Sequence, residues 1–586
     1  MLLRKRCSRL GSSVRCEFVS RPQLCMTGRL CELLSVAILL LIVSRAGAQE
    51  SPDSVCRKCH EQIYDSYKRT PMARASGEAT EGFLPGEFLH QASGIEYRLF
   101  LRDQEVWLSY DRPQGKGAMN LAGEQRLVYY VGSGHRGRTY LFERNGFWFE
   151  SPVNWYSKAH RWDMNPKSLD AKEMPFTLQV DSTCLHCHTS GAAMWLPGSR
   201  NHFAGAPFAE GGITCESCHG NASAHLAQNG RGPILNPAAL TGSRRDSICL
   251  QCHLEAEVAV NQPGRSLNSY RPGDDLFEDV RFFVHQGGIG SGRRATSQWE
   301  ALLQSACYRK SAGRMTCTTC HDPHSDPPPQ ERVQYFRSKC LTCHGSPAFV
   351  TQHHRQQPDC TLCHMAREKT ENVAHEQVTD HFIVKRPSAW LATQTSHEEE
   401  LVAVGGAEAS DRDLGLAYAQ SAIEGDVSAS VRGRELLEKA EKQEYQEYKN
   451  PGAPQDRPPQ DADLHAKLGY LELVSGDISA AAREYELAVD PSDSIAAANL
   501  AVIRAKDRQL PAAVQLWRVV AQEDPAQTGA GYNLALGECM LGDPNSAIQA
   551  LNRVIAFSPD NQKAKELMIQ LQAAPQLCTA QASQHH

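Results

Sequence analysis

The pattern C-x-x-C-H occurs seven times in this 586-residue chain, and no other feature limits its folding as much. The copies are Cys56, Cys59 and His60; Cys184, Cys187 and His188; Cys215, Cys218 and His219; Cys249, Cys252 and His253; Cys317, Cys320 and His321; Cys340, Cys343 and His344; and Cys360, Cys363 and His364. At this composition chance supplies roughly 0.03 copies. Two thiols three positions apart lie on one side of a helical turn. Each can add to one vinyl group of a single haem, and the next-residue His then projects under the ring to ligate iron. Zinc sites pair two C-x-x-C units without needing the His, and neither a thioredoxin-like pair nor a disulfide imposes it. The pattern therefore reads as covalent haem c, seven per chain.

Composition supports a globular exported protein. The hydrophobic fraction is 41%, and the net charge of -6 does not suggest a nucleic-acid partner. No run of 18 apolar residues is present, which rules out a multi-span membrane protein. Basic residues from Arg4 to Arg29 precede the apolar run Leu33 to Val43, and Ala46-Gly47-Ala48 follows. That order reads as a secretory signal over 1–48, since eleven apolar residues are short for an anchor helix. Met26 is an alternative start. The expected location is the periplasm or the outer face of the cytoplasmic membrane, where haem c is attached. Residues 1–48 carry eight basic and two acidic groups, so the mature chain sits near -12. Any membrane contact would come through the signal sequence or a partner complex.

Along the chain, 49–180 hold one haem site and a strand-rich stretch. Ile95, Tyr97 and Leu99 alternate with polar residues, as do Val106, Leu108 and Tyr110. Residues 181–387 hold six sites, set within 184–364 at about 30 residues each, too few for six conventional cores. Each macrocycle must itself be the core, wrapped in short helices and loops, and folding should depend on it. Residues 388–410 read as a linker. From 411 to 575 the composition turns to Ala, Leu and Glu. Pro491, Pro525 and Pro559 recur every 34 residues; Ala481, Ala513 and Ala547 each precede a large apolar residue by four (Tyr485, Trp517, Leu551). That is a tetratricopeptide period, with a degenerate earlier unit over Leu414 to Ala440 and a polar linker from Tyr448 to Asp463. Residues 576–586 form a tail. The fold class expected is mainly α: a haem-packed domain with a small N-terminal β region, then an α-solenoid.

Sixth ligands come from the His outside the motifs. His225 and His324 lie just beyond motif histidines. His354, or its neighbour His353, follows the sixth site; His285, His375 and His381 lie in or just past the dense region, and His90 is a further candidate. At the first site Thr70-Pro71-Met72-Ala73 offers Met72 as a thioether ligand. His186 is expected to face outward, and His465, His585 and His586 to lie on the surface. Cys539 reads as packed core, and Cys307 and Cys578 have no assignment. His135, Arg136, Arg138 and Tyr140 form a polar cluster, read as propionate partners or loop residues and, less simply, as a pocket lining.

Taken together, the motif Cys56 to His60 with Thr70 to Ala73, Gly132-Ser133-Gly134, Gly212 to Gly220, Cys317 to His324, Cys360 to Met365 and Thr379-Asp380-His381 resemble the multihaem cytochrome c superfamily. That group includes hydroxylamine oxidoreductase, pentahaem nitrite reductase and the tetrahaem cytochrome of nitrification. The chain is similar, more closely, to exported bacterial cytochromes that fuse such a domain to tetratricopeptide repeats. The resemblance covers roughly 50–390 and the repeats. It implies electron transfer through closely spaced haems, with the repeats docking a redox partner or packing against the haem domain. Acidic side chains and propionates favour basic partners. Two other readings stay open: an oxidoreductase acting on a small nitrogen or sulfur compound such as nitrite or hydroxylamine, and a structural haem-bearing subunit. Nitrite reductases of the family end one motif in Lys, which does not occur here; the oxidoreductase relatives keep His, so its absence excludes no enzyme. No catalytic residue is assigned.

Overall fold

The computed structural model describes residues 6–10, 13–17, 53–112, 121–174, 176–254, 256–285, 297–312, 314–353, 357–365, 379–385, 400–406, 408–448, 461–489 and 493–578. The chain divides into two units, Met1–Val55 and Cys56–His586. In the first, β1 (Arg6–Leu10) pairs antiparallel with β2 (Ser13–Glu17), aligning Cys7 with Cys16. The apolar run and cleavage site of the expected signal lie outside the described residues.

The helix α1 (Ser54–Tyr67), within which the second unit begins, carries the first haem motif and breaks its helical geometry at His60. Nine strands follow: β3 (Ser76–Glu78), β4 (Gly86–His90), β5 (Ile95–Arg102), β6 (Glu105–Arg112), β7 (Leu121–Leu127), β8 (Tyr129–Val131), β9 (Gly137–Arg144), β10 (Phe147–Tyr156) and β11 (Arg161–Met164). They form a four-stranded sheet in the order β4-β5-β6-β7 and a five-stranded sheet in the order β11-β10-β9-β8-β3. The alternation noted in β5 and β6 places Tyr97 opposite Tyr110 and Leu99 opposite Leu108, all buried on one face. Both residues of the Asp103-Gln104 turn and of the Asn145-Gly146 turn have positive φ, as two-residue hairpins require. The β portion is thus larger than the small region expected. Its missed strands carry weak patterns: β7 buries only Leu121 and Leu127 and shows water the rest.

The haem-dense segment is not purely helical either. Its elements are α2 (Ser182–His188), β12 (Thr189–Ala192), β13 (Phe208–Gly211), α3 (Glu216–His219), α4 (Ser223–Ala227), α5 (Gly242–His253), β14 (Val258–Asn261), β15 (Val280–His285), α6 (Gln298–Gln304), α7 (Ala306–Lys310), α8 (Cys317–Cys320), α9 (Arg332–His344), α10 (Pro347–Gln352) and α11 (Thr361–His364). The stretch expected to be a bare linker supplies β16 (Leu401–Ala403), which pairs with β15. A modest apolar core gathers Leu250, Tyr270, Phe282 and Trp299. Past Thr316 the polypeptide has almost none: the thirteen-residue α9 buries no residue.

The remaining helices run as antiparallel pairs: α12 (Asp411–Ile423) with α13 (Ala429–Tyr448), α14 (Ala462–Ser475) with α15 (Ile478–Ala488), α16 (Ser494–Lys506) with α17 (Leu510–Glu523), and α18 (Thr528–Met540) with α19 (Pro544–Phe557), closed by α20 (Gln562–Ala573). Ala481, Ala513 and Ala547 are fully buried, because only a methyl fits where each helix pair closes. Aspartates cap several helices; Asp477 accepts from the Ala480 amide and Asp543 from that of Ser546. Cys539 of α18 is disulfide-bonded to Cys578, so Cys539 is more than packed core and the tail is fastened at its start.

One edge of the array lies on the β region. Asp560 accepts from the Met174 amide at 2.9 Å and pairs with Arg112 at 3.5 Å. Asp524 accepts from the Gln179 amide group at 2.5 Å, Arg200 approaches Asp493 at 3.7 Å, and Phe557 enters the β core beside Phe149. The turns after successive repeats thus serve as contacts within the chain, not as free surface.

Candidate functional site

The motifs sit where the chain can bring them together. Site 1 follows from α1, whose Tyr67 hydroxyl donates to the Ile213 carbonyl just before site 3. Ser76 of β3 donates to the His188 carbonyl of site 2 and accepts from the Gly212 amide, holding sites 2 and 3 against the sheet. Residues inside the motifs complete the join. Gln251 of site 4 accepts from His186 of site 2 at 3.1 Å and donates to the Ser217 carbonyl of site 3 at 3.1 Å. His186 is therefore an internal tie and does not face outward.

The thiols meet across motifs. The sulfur atoms of Cys56 and Cys215 lie within 4.8 Å of one another. The Cys252 thiol is held well above its ordinary pKa by its hydrogen bond with Cys187 and by burial. Cys317 is raised by the same two causes, its partner being Cys249; Cys340, which also hydrogen-bonds Cys360, is pushed up to about 11, chiefly by burial. These contacts link sites 1 and 3, 2 and 4, 4 and 5, and 6 and 7.

The imidazoles give a sharper test of whether these residues fit haem. With each nitrogen about 2 Å from one iron, two axial imidazoles place their ring centres roughly 6 Å apart. His219 and His324 lie 6.0 Å apart with planes 10° from parallel. His321 and His381 lie 6.2 Å apart, and His364 and His353 6.1 Å apart, each pair at 29°. The Nδ1 atoms of His219, His364 and His381 donate to the carbonyls of Leu235 (2.9 Å), Val384 (2.6 Å) and Thr379 (2.8 Å). That fixes the tautomer and leaves Nε2 as the lone-pair donor, as metal-binding His requires. Burial lowers His253 and His321 and brings His381 down to about 4, so these rings are neutral at pH 7. The bare polypeptide around sites 5 to 7 and the facing rings both fit a bound macrocycle, with the motif cysteines and histidines holding it.

The other candidates divide. His225 donates from Nδ1 to the Gly232 carbonyl at 3.0 Å, the same arrangement as the paired rings, with no facing motif His among the described residues. His285 is ion-paired through Nδ1 to Glu257. Met72 lies on a short turn whose carbonyl accepts from the Ile213 amide, while His60 is exposed. His354 and His375 lie outside the described residues. His90 is buried in the β region, with Nδ1 on Ser93 at 2.8 Å and Nε2 on the Leu169 carbonyl at 2.9 Å, so both ring nitrogens have other partners. His465, expected on the surface, is also buried, against Glu484. Arg138 and Tyr140 do line a cavity of about 190 Å³ with Trp155, and Arg138 lies 3.8 Å over the Tyr130 ring.

Residues 150–220, which span sites 2 and 3, match the family model described as cytochrome c554 and c-prime. Residues 310–349, spanning sites 5 and 6, match that of a doubled CXXCH motif. The C-type polyheme cytochrome OmcB of Geobacter sulfurreducens is 27% identical over 158 residues in both strain PCA and strain DL-1/KN400, covering 24% of this chain. The match spans 20% of the length of those relatives. Among solved structures, MamA AMB-1 is 17% identical with a TM-score of 0.23, over 30% of this chain and 92% of its own. YrrB, a TPR protein with an unusual peptide-binding site, is 18% identical with a TM-score of 0.21, over 27% of this chain and 73% of its own. The motifs and the sequence matches agree on covalent haem c binding by a multihaem c-type cytochrome.

Proposed function

We propose that this multihaem c-type cytochrome carries seven haems and relays electrons between redox partner proteins outside the cytoplasm. Bound haem supplies the one-electron chemistry. The chain's own residues set where and how it is held. The observation that carries the reading is the pairing of His219 with His324, His321 with His381 and His364 with His353. A motif His already faced by a second imidazole suits a six-coordinate iron with no room for substrate. The thiol contacts group site 1 with 3, sites 2, 4 and 5 together, and site 6 with 7, and the Gln251 hydrogen bonds join the first two groups.

Export is supported by haem c chemistry and by the Cys539–Cys578 disulfide, which persists in oxidising compartments. No helix among the described residues is long and apolar enough to cross a membrane. We place the chain in the broader group of hydroxylamine oxidoreductase and nitrification cytochromes, and assign the repeats a stabilising role on the β region in addition to any partner docking. Spectroscopy of the purified haem-loaded chain tests the reading. Seven haems per chain by pyridine haemochrome and mass, all low-spin, with no binding of carbon monoxide, nitrite or hydroxylamine, is the expected result. A high-spin haem that binds one of these moves the assignment to an oxidoreductase on a small nitrogen compound.

A further inference from the structure

Away from the haem motifs, three helices bring metal-binding side chains together. Glu441 of α13, His465 of α14 and Glu484 of α15 each offer a donor atom, all within 4.8 Å of one another. His465 is 4% exposed and Glu484 8%, and the imidazole Nδ1 lies 2.8 Å from the Glu484 carboxylate. Glu444 also acts on the His465 ring. Carboxylates outnumber cations around the cluster. Glu438 and Asp461 add further carboxylates. Of the cations, Lys442 is exposed, and Arg412 is already engaged by Asp461 and Asp413. The surrounding carboxylates hold the His465 ring above its ordinary pKa against the opposing effect of burial, and a divalent cation would take the place of that proton.

We propose that Glu441, His465 and Glu484 form a divalent-cation site, suited to Zn²⁺, that ties α13 to the α14–α15 pair. A nitrogen with two carboxylate oxygens is a donor set zinc accepts, and a tetrahedral ion with bonds of about 2.0–2.1 Å spaces its donors roughly 3.4 Å apart. The His465–Glu484 contact opens by a few tenths of an ångström to admit the ion. Glu441, at the solvent side, leaves the fourth position to water. The site joins α13 to α14 and α15 through one side chain from each. The zinc site stands independently of the electron-transfer reading.

The test uses the full haem-loaded chain, stripped with EDTA and titrated with ZnCl₂ by calorimetry. Bound zinc is counted by elemental analysis after desalting, and unfolding is followed by far-UV circular dichroism. The expected result is one retained zinc per chain and a helical midpoint about 5 °C higher at a hundredfold excess over Kd. Glu441→Gln, on the solvent side of the cluster, should keep the fold and weaken zinc binding at least tenfold. His465→Gln should abolish it. Should His465→Gln not fold, Glu441→Gln decides alone. No retained zinc, or unchanged affinity in Glu441→Gln, overturns the site and leaves a buried His465–Glu484 ion pair.

Discussion

Opening the Cys539–Cys578 disulfide should loosen the C-terminal end of the helix array and leave the haem region untouched. The bridge joins residues 39 positions apart and encloses α19 and α20. By loop-closure entropy, a loop of that length stabilises the fold by about 4 kcal/mol. Both cysteines are buried, at 6% and 0% exposure, so the link is tightly packed as well as covalent. The assay is guanidinium unfolding of the haem-loaded chain with and without dithiothreitol. Haem thioethers do not exchange with thiols; the reduced sample is alkylated and its haems reoxidised with ferricyanide before unfolding, so that only the disulfide differs. With a slope of about 4 kcal/mol per molar for an array of this size, the far-UV midpoint should fall by roughly 1 M. The Soret transition should stay where it is. Terminal repeats open first, so amide exchange in 562–573 should speed up before the global midpoint moves. Cys578→Ala should reproduce the reduced curve. Coincident oxidised and reduced curves would refute the reasoning, since the loop would then constrain nothing.

Replacing His324, His353 or His381 by Ala, one at a time, should each create one carbon-monoxide-binding haem, read by difference spectra; no new binding site in any of them would sink the pairing. Met72→Ala should alter the spectrum of one haem if its thioether is a ligand there. Phe557→Ala removes a ring 2% exposed in the β core and should cost about 3–5 kcal/mol, detected as earlier unfolding of the β region together with the array. Asp543→Ala removes the α19 cap at a cost of about 1 kcal/mol at pH 7. The hydrogen bond from the Ser546 amide depresses the Asp543 carboxyl, so the cap's contribution is complete above its unfolded pKa and is lost as pH falls through the lower folded value. The mutant and parent midpoints should converge there. Gly469→Ala sets a methyl 2.9 Å from the Tyr485 ring and should cost about 1–3 kcal/mol, read as a lower thermal midpoint.

Features encoded over a few residues were legible in the sequence. The Cys-Cys-His spacing fixes which atoms can bind one porphyrin, because it is set within a single helical turn. The 34-residue recurrence of proline marks helix pairs, because each unit repeats the same packing against its neighbour. The alternation in β5 and β6 shows the buried face, because strand side chains point to opposite faces in turn. Edge strand β7 escaped notice, since solvent rather than core decides most of its residues.

Only the tertiary structure decided which distant groups meet. His324 faces His219 across 105 positions of sequence, while His90, equally plausible as an imidazole in the chain, spends both ring nitrogens inside a sheet. The same holds for Cys539 with Cys578, His465 with Glu484, and Gln251 bridging three motifs. A local pattern states what a residue can bind. Whether it does depends on loop closure and packing over the whole chain, and no short stretch of sequence contains that information.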